Sequence, residues 1–176
     1  MRLEGEAWSR YFRDFRSSAF RLELHPIYTM PGEADELQRF MAGQKPPPGY
    51  HYGWLDTVAT ASAAGKTMRR ARVVRRPLTD YIRYEFEWGF VYNVEAGEDI
   101  RVLDLTGKEG PDLPDHDFWL FDQATVVKLL YRPDGTQIER DLVEDPDIDR
   151  YLRYRDAAWK DAVPFYDYWA GLAPRV

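Results

Sequence analysis

Arg69-Arg70-Ala71-Arg72-Val73-Val74-Arg75-Arg76-Pro77-Leu78-Thr79-Asp80-Tyr81-Ile82-Arg83-Tyr84-Glu85-Phe86 changes its periodicity part-way along. Residues 69–74 alternate, with Ala71 and Val73 on one face and Arg70 and Arg72 on the other, the period of a strand. Pro77 lacks a ladder donor and ends that strand. Thr79 or Asp80 is placed to cap a helix in which Tyr81, Ile82, Glu85 and Phe86 fall at helical spacing. Gly97 breaks the chain again, and Ile100 to Leu105 reads as a second strand.

Outward toward the N-terminus, Trp8, Tyr11, Phe12 and Phe15 mark an amphipathic helix over 6–17, and residues 19–24 alternate as a strand with Phe20, Leu22 and Leu24 inward. Short helices are predicted over 33–42 and 53–64, separated by a surface loop at Pro46-Pro47-Pro48-Gly49. Toward the C-terminus, Phe118 to Phe121 and Val126 to Tyr131 read as strands. Pro133-Asp134-Gly135 turns the chain into a further strand over 136–143. A last helix begins near Asp147, with Asp149/Arg153 and Asp156/Lys160 at ion-pair spacing, and is kinked or ended by Pro164. Strands and helices intermix without a regular βαβ period. The expectation is therefore a single α+β domain over 1–176, with a mainly antiparallel or mixed sheet flanked by helices.

The 176 residues suffice for one substantial core. Twelve Tyr and six Trp need polar partners at their rims, so many should sit at the core edge or line a cleft. The absence of Cys excludes disulfides, thiolate metal sites and a Cys nucleophile. The N-terminus shows no apolar signal segment and no run is long enough for a membrane helix, so a cytoplasmic protein without membrane association is expected.

The net charge of −6 is unevenly spread: residues 1–65 carry −1, residues 66–89 carry +4 and residues 90–176 carry −9. Lys66, Arg69, Arg70, Arg72, Arg75 and Arg76 form a basic run. It is either an anion site or a solvated strand face whose arginines pair with surplus acids, and the second is favoured because carboxylates are abundant. The acidic C-terminal half opposes approach to a polyanion, so tight binding to duplex DNA is not expected. His25, His51 and His116 lack ligand spacing, and no HExxH, G-x-S-x-G, P-loop or dinucleotide motif is present. No metal site and no cofactor is expected.

Ser18-Ala19-Phe20-Arg21-Leu22-Glu23, Arg72-Val73-Val74 with Pro77 to Glu85, Ala96-Gly97-Glu98-Asp99-Ile100-Arg101 and Asp117-Phe118-Trp119-Leu120-Phe121-Asp122 occur in this order. Together they resemble the actinobacterial domain-of-unknown-function family numbered 6879, over nearly the whole chain. The resemblance implies a regulatory or toxin–antitoxin-like context beside helix-turn-helix regulators and supplies no activity.

Polar groups placed at element ends among aromatics suggest a cleft. The candidate binding surface is Trp54, Arg72, Tyr81, Arg83, Glu85, Glu98, Arg101, Trp119 and Asp122. Arg83, Glu85, Glu98 and Arg101 are expected to share one partly buried network. The leading function is a non-catalytic regulatory module that binds a small ligand or a helix-turn-helix partner. The alternative is a nuclease-like toxin in which Arg72 and Arg83 stabilise a phosphodiester and Glu85 or Glu98 is the general base. That alternative requires Arg83, Glu85 and Glu98 to converge in one open pocket.

Overall fold

The computed structural model describes residues 1–172 and is α+β, built on one seven-stranded mixed sheet. The chain begins with α1 (Gly5–Asp14) and passes into the central strand β1 (Ser18–Glu23). Helices α2 (Ala34–Met41) and α3 (Gly53–Ala63) lead to β2 (Thr67–Val74), which lies parallel to β1. Then α4 (Asp80–Glu85), a π-helical turn (Phe86–Phe90) and α5 (Val91–Ala96) lead to β3 (Asp99–Asp104), parallel to β2. β4 (Asp117–Phe121), β5 (Thr125–Tyr131) and β6 (Gln137–Leu142) form an antiparallel meander joined to β1 through β4. Helix α6 (Ile148–Lys160) crosses back, β7 (Val163–Pro164) pairs with β3, and α7 (Phe165–Leu172) follows. The strand order is β6-β5-β4-β1-β2-β3-β7.

Local chemistry explains the boundaries. The Thr79 hydroxyl accepts the Ile82 N–H at 3.1 Å and donates to the Pro26 carbonyl at 2.7 Å, so one side chain both starts α4 and ties it to the segment after β1. Gly97 ends α5 with φ +117°, a conformation that disfavours side chains. Asp147 caps α6 through the Arg150 N–H. Wide hydrogen bonding in the π turn, where the Val91 N–H donates to the Phe86 carbonyl, directs Trp88 and Phe90 inward together. The ion pairs expected along α6 do not form. Neither Asp149 with Arg153 nor Asp156 with Lys160 comes within pairing distance among the described residues, and Asp156 instead meets Arg155 at 2.7 Å.

The two sheet faces differ in chemistry. Phe20, Leu22, Ala71, Val73, Phe118, Leu120 and Val126 pack with Tyr151, Tyr154 and Ala158 of α6 in an apolar core. The opposite face begins apolar, where Ala19, Met68, Trp119 and Phe121 meet α1 and α3. It becomes charged along the parallel strands, because period-2 alternation sends Arg21 and Glu23 of β1, and Arg70 and Arg72 of β2, to the same side. The register sets Arg21 beside Arg70 and Glu23 beside Arg72. This overturns the expectation of a solvated arginine face. Arg72 is fully buried, and the side chain of Arg70 is 11% exposed.

A candidate binding cleft over a buried ion network

Four arginine–carboxylate contacts knit the charged face together. Arg70 donates to Glu23 Oε1 at 2.6 Å and to Glu98 Oε1 at 2.7 Å. Arg72 Nε donates to Glu85 Oε1 at 2.8 Å. Arg21 Nη2 donates to Asp117 Oδ2 at 2.9 Å. The Tyr28 hydroxyl donates to the same Asp117 oxygen, and Trp54 Nε1 donates to Glu98 Oε2 at 3.0 Å. Strands β1, β2 and β4, together with the turn from α5 into β3, thus each bring a charge to one buried layer. Such a layer is stable only while each charge keeps its partner, and losing one costs roughly 3–5 kcal/mol.

Protonation follows from this count. Arg21, Arg70 and Arg72 face Glu23, Glu85, Glu98 and Asp117, so one carboxylate is in excess. Burial pushes Glu85 up to about 8, against the pull of Arg72, and Glu23 adds to the rise. Glu23 is also raised by burial, but Arg70, Arg21 and Arg72 outweigh that and hold it below its ordinary value. Of the four acids, Glu85 is thus the one drawn toward its neutral form.

Above this floor opens a cleft of about 1160 Å³. Arg21, Glu23, Arg70 and Glu85 are its charged base, and rings form its walls. Phe12, Trp54 and Trp119 meet edge-on or tilted on the α1/α3 side, with centroids 5.0–5.7 Å apart. Tyr28, Tyr81, Tyr84 and Trp88 cluster on the α4 side. The rim beside α2 holds two carboxylates. Glu33 accepts from the Tyr81 hydroxyl at 2.9 Å, and Glu36 accepts from Tyr84 at 2.7 Å and Tyr50 at 2.8 Å. Burial raises Glu33, a rise that the Tyr81 hydroxyl opposes. Tyr52 donates to Asn93 at 2.6 Å and closes the cleft toward α5.

The structure brings together Trp54, Tyr81, Glu85 and Trp119, which line the cleft, and Arg72 and Glu98, which support its floor. It separates the other three. Arg83 points to solvent on the outer face of α4, and Glu87, one helical turn further on, meets Lys45 at 2.8 Å. Arg101 alternates to the opposite sheet face, where it stacks on Trp159 at 4.4 Å and meets Asp99 at 3.5 Å. Asp122 is a turn residue. Its carboxylate accepts the N–H groups of Arg16, Ser17 and Ser18 at 2.7–3.1 Å and joins the end of β4 to the start of β1. Those donors outweigh burial and hold Asp122 below the usual range.

Sequence reasoning missed Arg21, Glu23, Arg70 and Asp117. The signal was present in the alternation of β1, where Arg21 and Glu23 face away from Phe20 and Leu22. Its meaning depended on whether helices cover that face, which alternation does not report. Among the described residues no group of three or more His, Asp or Glu side chains is placed to hold a metal ion.

A family model described as a domain of unknown function (DUF6879) matches residues 6–170. The chain belongs to the DUF6879 family. The match takes in every element that builds the cleft, from α1 to the middle of α7. No match is found among curated proteins. In this DUF6879 chain no helix among the described residues is long and apolar enough to cross a membrane.

Proposed function

We propose that this DUF6879 chain is a non-catalytic module that binds a small molecule in the cleft between the charged sheet face and α2–α4. The observation that carries this reading is the cleft itself. A volume of about 1160 Å³ walled by aromatic rings and based on fixed polar groups has the form of a small-ligand site. The arginines at its base are committed to carboxylates of the same layer, which favours recognition by the groups left over. Arg83 lies outside the cleft that Glu85 lines and Glu98 supports, which favours the binding reading over the nuclease alternative. The family resemblance extends the proposal to context: a cytoplasmic actinobacterial protein that reports ligand binding to a helix-turn-helix regulator.

The test is retention of small molecules. The purified protein is equilibrated with a metabolite extract, washed, denatured and assayed by mass spectrometry. Thr57 lines the cleft from α3, so Thr57→Trp fills it from a half-exposed position. Wild type should retain a discrete compound that folded Thr57→Trp loses. Retention of nothing, or equal retention by the variant, would refute the reading.

A further inference from the structure

The cleft's base carries hydrogen-bonding groups that narrow the chemistry of its occupant. Arg21, Glu23 and Trp88 all line the cleft. Each has one buried polar atom with no hydrogen-bond partner among the described residues: Arg21 Nη1, Glu23 Oε2, which stands 3.7 Å from Arg72 Nε, and Trp88 Nε1. The side chains of Arg21 and Glu23 are each only 5% exposed, and Arg21 Nε lies 3.5 Å from Glu23 Oε1. A donor and an acceptor without hydrogen bonds thus belong to two neighbouring side chains at the end of β1. Buried groups of this kind carry a desolvation cost until something completes them.

Charge restricts what can do so. Every guanidinium in the layer already faces a carboxylate: Arg21 meets Asp117, Arg70 meets Glu23 and Glu98, and Arg72 meets Glu85. An anion would compete with Glu23, Glu98 and Asp117 for their arginines, and a cation would compete with the arginines for those acids. A neutral group that accepts and donates on adjacent atoms disturbs neither. The walls restrict shape, since rings on both sides favour a flat π-system between them.

The geometry points to a neutral, planar heteroaromatic ligand that presents a lactam edge, a carbonyl beside a ring N–H as in nucleobase- and flavin-type rings, to Arg21 and Glu23. The carbonyl accepts from Arg21 Nη1, the N–H donates to Glu23 Oε2, and a further acceptor on the ligand meets Trp88 Nε1. This assignment rests on the cleft-binding reading and adds the ligand class to it.

The experiment titrates the full chain, by calorimetry and intrinsic tryptophan fluorescence, with guanosine, uridine and riboflavin. The controls are 3-methyluridine and 1-methylguanosine, which lack the lactam N–H, and inorganic phosphate, acetate and tetramethylammonium. At least one lactam probe should bind saturably, and blocking its N–H should weaken binding by at least about tenfold. Trp88→Phe keeps a ring and removes Nε1, and should weaken the same probe roughly five- to tenfold. Failure of all three lactam probes, or equal binding of the methylated ones, overturns the assignment whether or not Trp88→Phe folds. If lactams fail while a charged probe or an extract compound binds in a Thr57→Trp-sensitive way, the class is wrong and the cleft reading survives. If no compound binds in that way, both fall.

Discussion

Glu85 is where the charge balance of the buried layer becomes measurable. Its folded-state pKa of about 8 lies above the roughly 4.3 of an unfolded glutamate. Between those values the native state holds a proton that the unfolded chain has released, so stability falls as pH rises through that window and levels off above it. The slope from this one group is at most roughly 1.4 kcal/mol per pH unit. Glu85→Gln keeps an oxygen for Arg72 Nε and cannot ionise. Urea denaturation from pH 5 to 9 should therefore show a flatter profile for the variant, with little stability lost at pH 7. A variant that tracks wild type in parallel would show that Glu85 titrates normally. Arg72 and Arg83 make a second contrast. Arg72→Ala removes the 2.8 Å partner of Glu85 and one of the three arginines around Glu23 in a buried layer, and should cost roughly 3–5 kcal/mol. Arg83→Ala removes an exposed side chain and should stay within about 0.5 kcal/mol. Equal shifts in melting temperature would contradict the network as described. From sequence, Arg83 and Arg72 look alike, because both sit between apolar neighbours; only the helix face and the covering of the sheet tell them apart.

Secondary structure was largely legible because its signals are local. The alternation of β1 and β2, the Thr79 cap, the Gly97 stop and the Asp147 cap each depend on residues within one turn of the boundary. What remained hidden depends on pairing across the chain. β7 is two residues long, and it exists because β3 offers an edge at Arg101 and Val102. The π turn sits inside a continuous helical pattern and leaves that spacing unbroken to the eye. Gly97 is the element whose demand is strongest. Its φ of +117° disfavours any side chain, and a Cβ there would lie 2.7 Å from Ser62 Oγ and 2.8 Å from Ser62 Cβ on α3. Gly97→Ala should therefore destabilise the protein by roughly 1–3 kcal/mol, read from denaturant midpoints. Because Glu98 follows directly, the same change should also loosen the Arg70–Glu98–Trp54 contacts. Gly97→Ala paired with Ser62→Gly should recover part of the loss if the steric contact contributes; no recovery would assign the whole effect to backbone conformation.

At the scale of the whole molecule, the basic run is largely consumed by folding. Arg70 and Arg72 are buried against Glu23, Glu85 and Glu98 and offer nothing to an outside polyanion. The surface members of the run are also engaged. Arg75 donates to the carbonyls of Leu105 and Lys108, Arg76 meets Asp104 at 3.0 Å, and Arg69 stands 4.0 Å from Asp99. Lys66 donates to the Arg13 carbonyl and lies over the Phe15 ring. A run of six cations in sequence therefore presents little free positive surface, while the protein as a whole carries −6. Duplex affinity scales with the number of phosphates neutralised, and each contact adds to the salt slope. We expect fluorescence anisotropy with a labelled random-sequence duplex to give no submicromolar binding at physiological salt, and only a shallow dependence of any weak binding on salt. Submicromolar affinity with a steep salt slope would mean that these surface arginines exchange their intramolecular partners for phosphates. Alanine at Arg69, Arg75 and Arg76 together would then abolish the binding, and a duplex-binding role would have to stand beside the cleft.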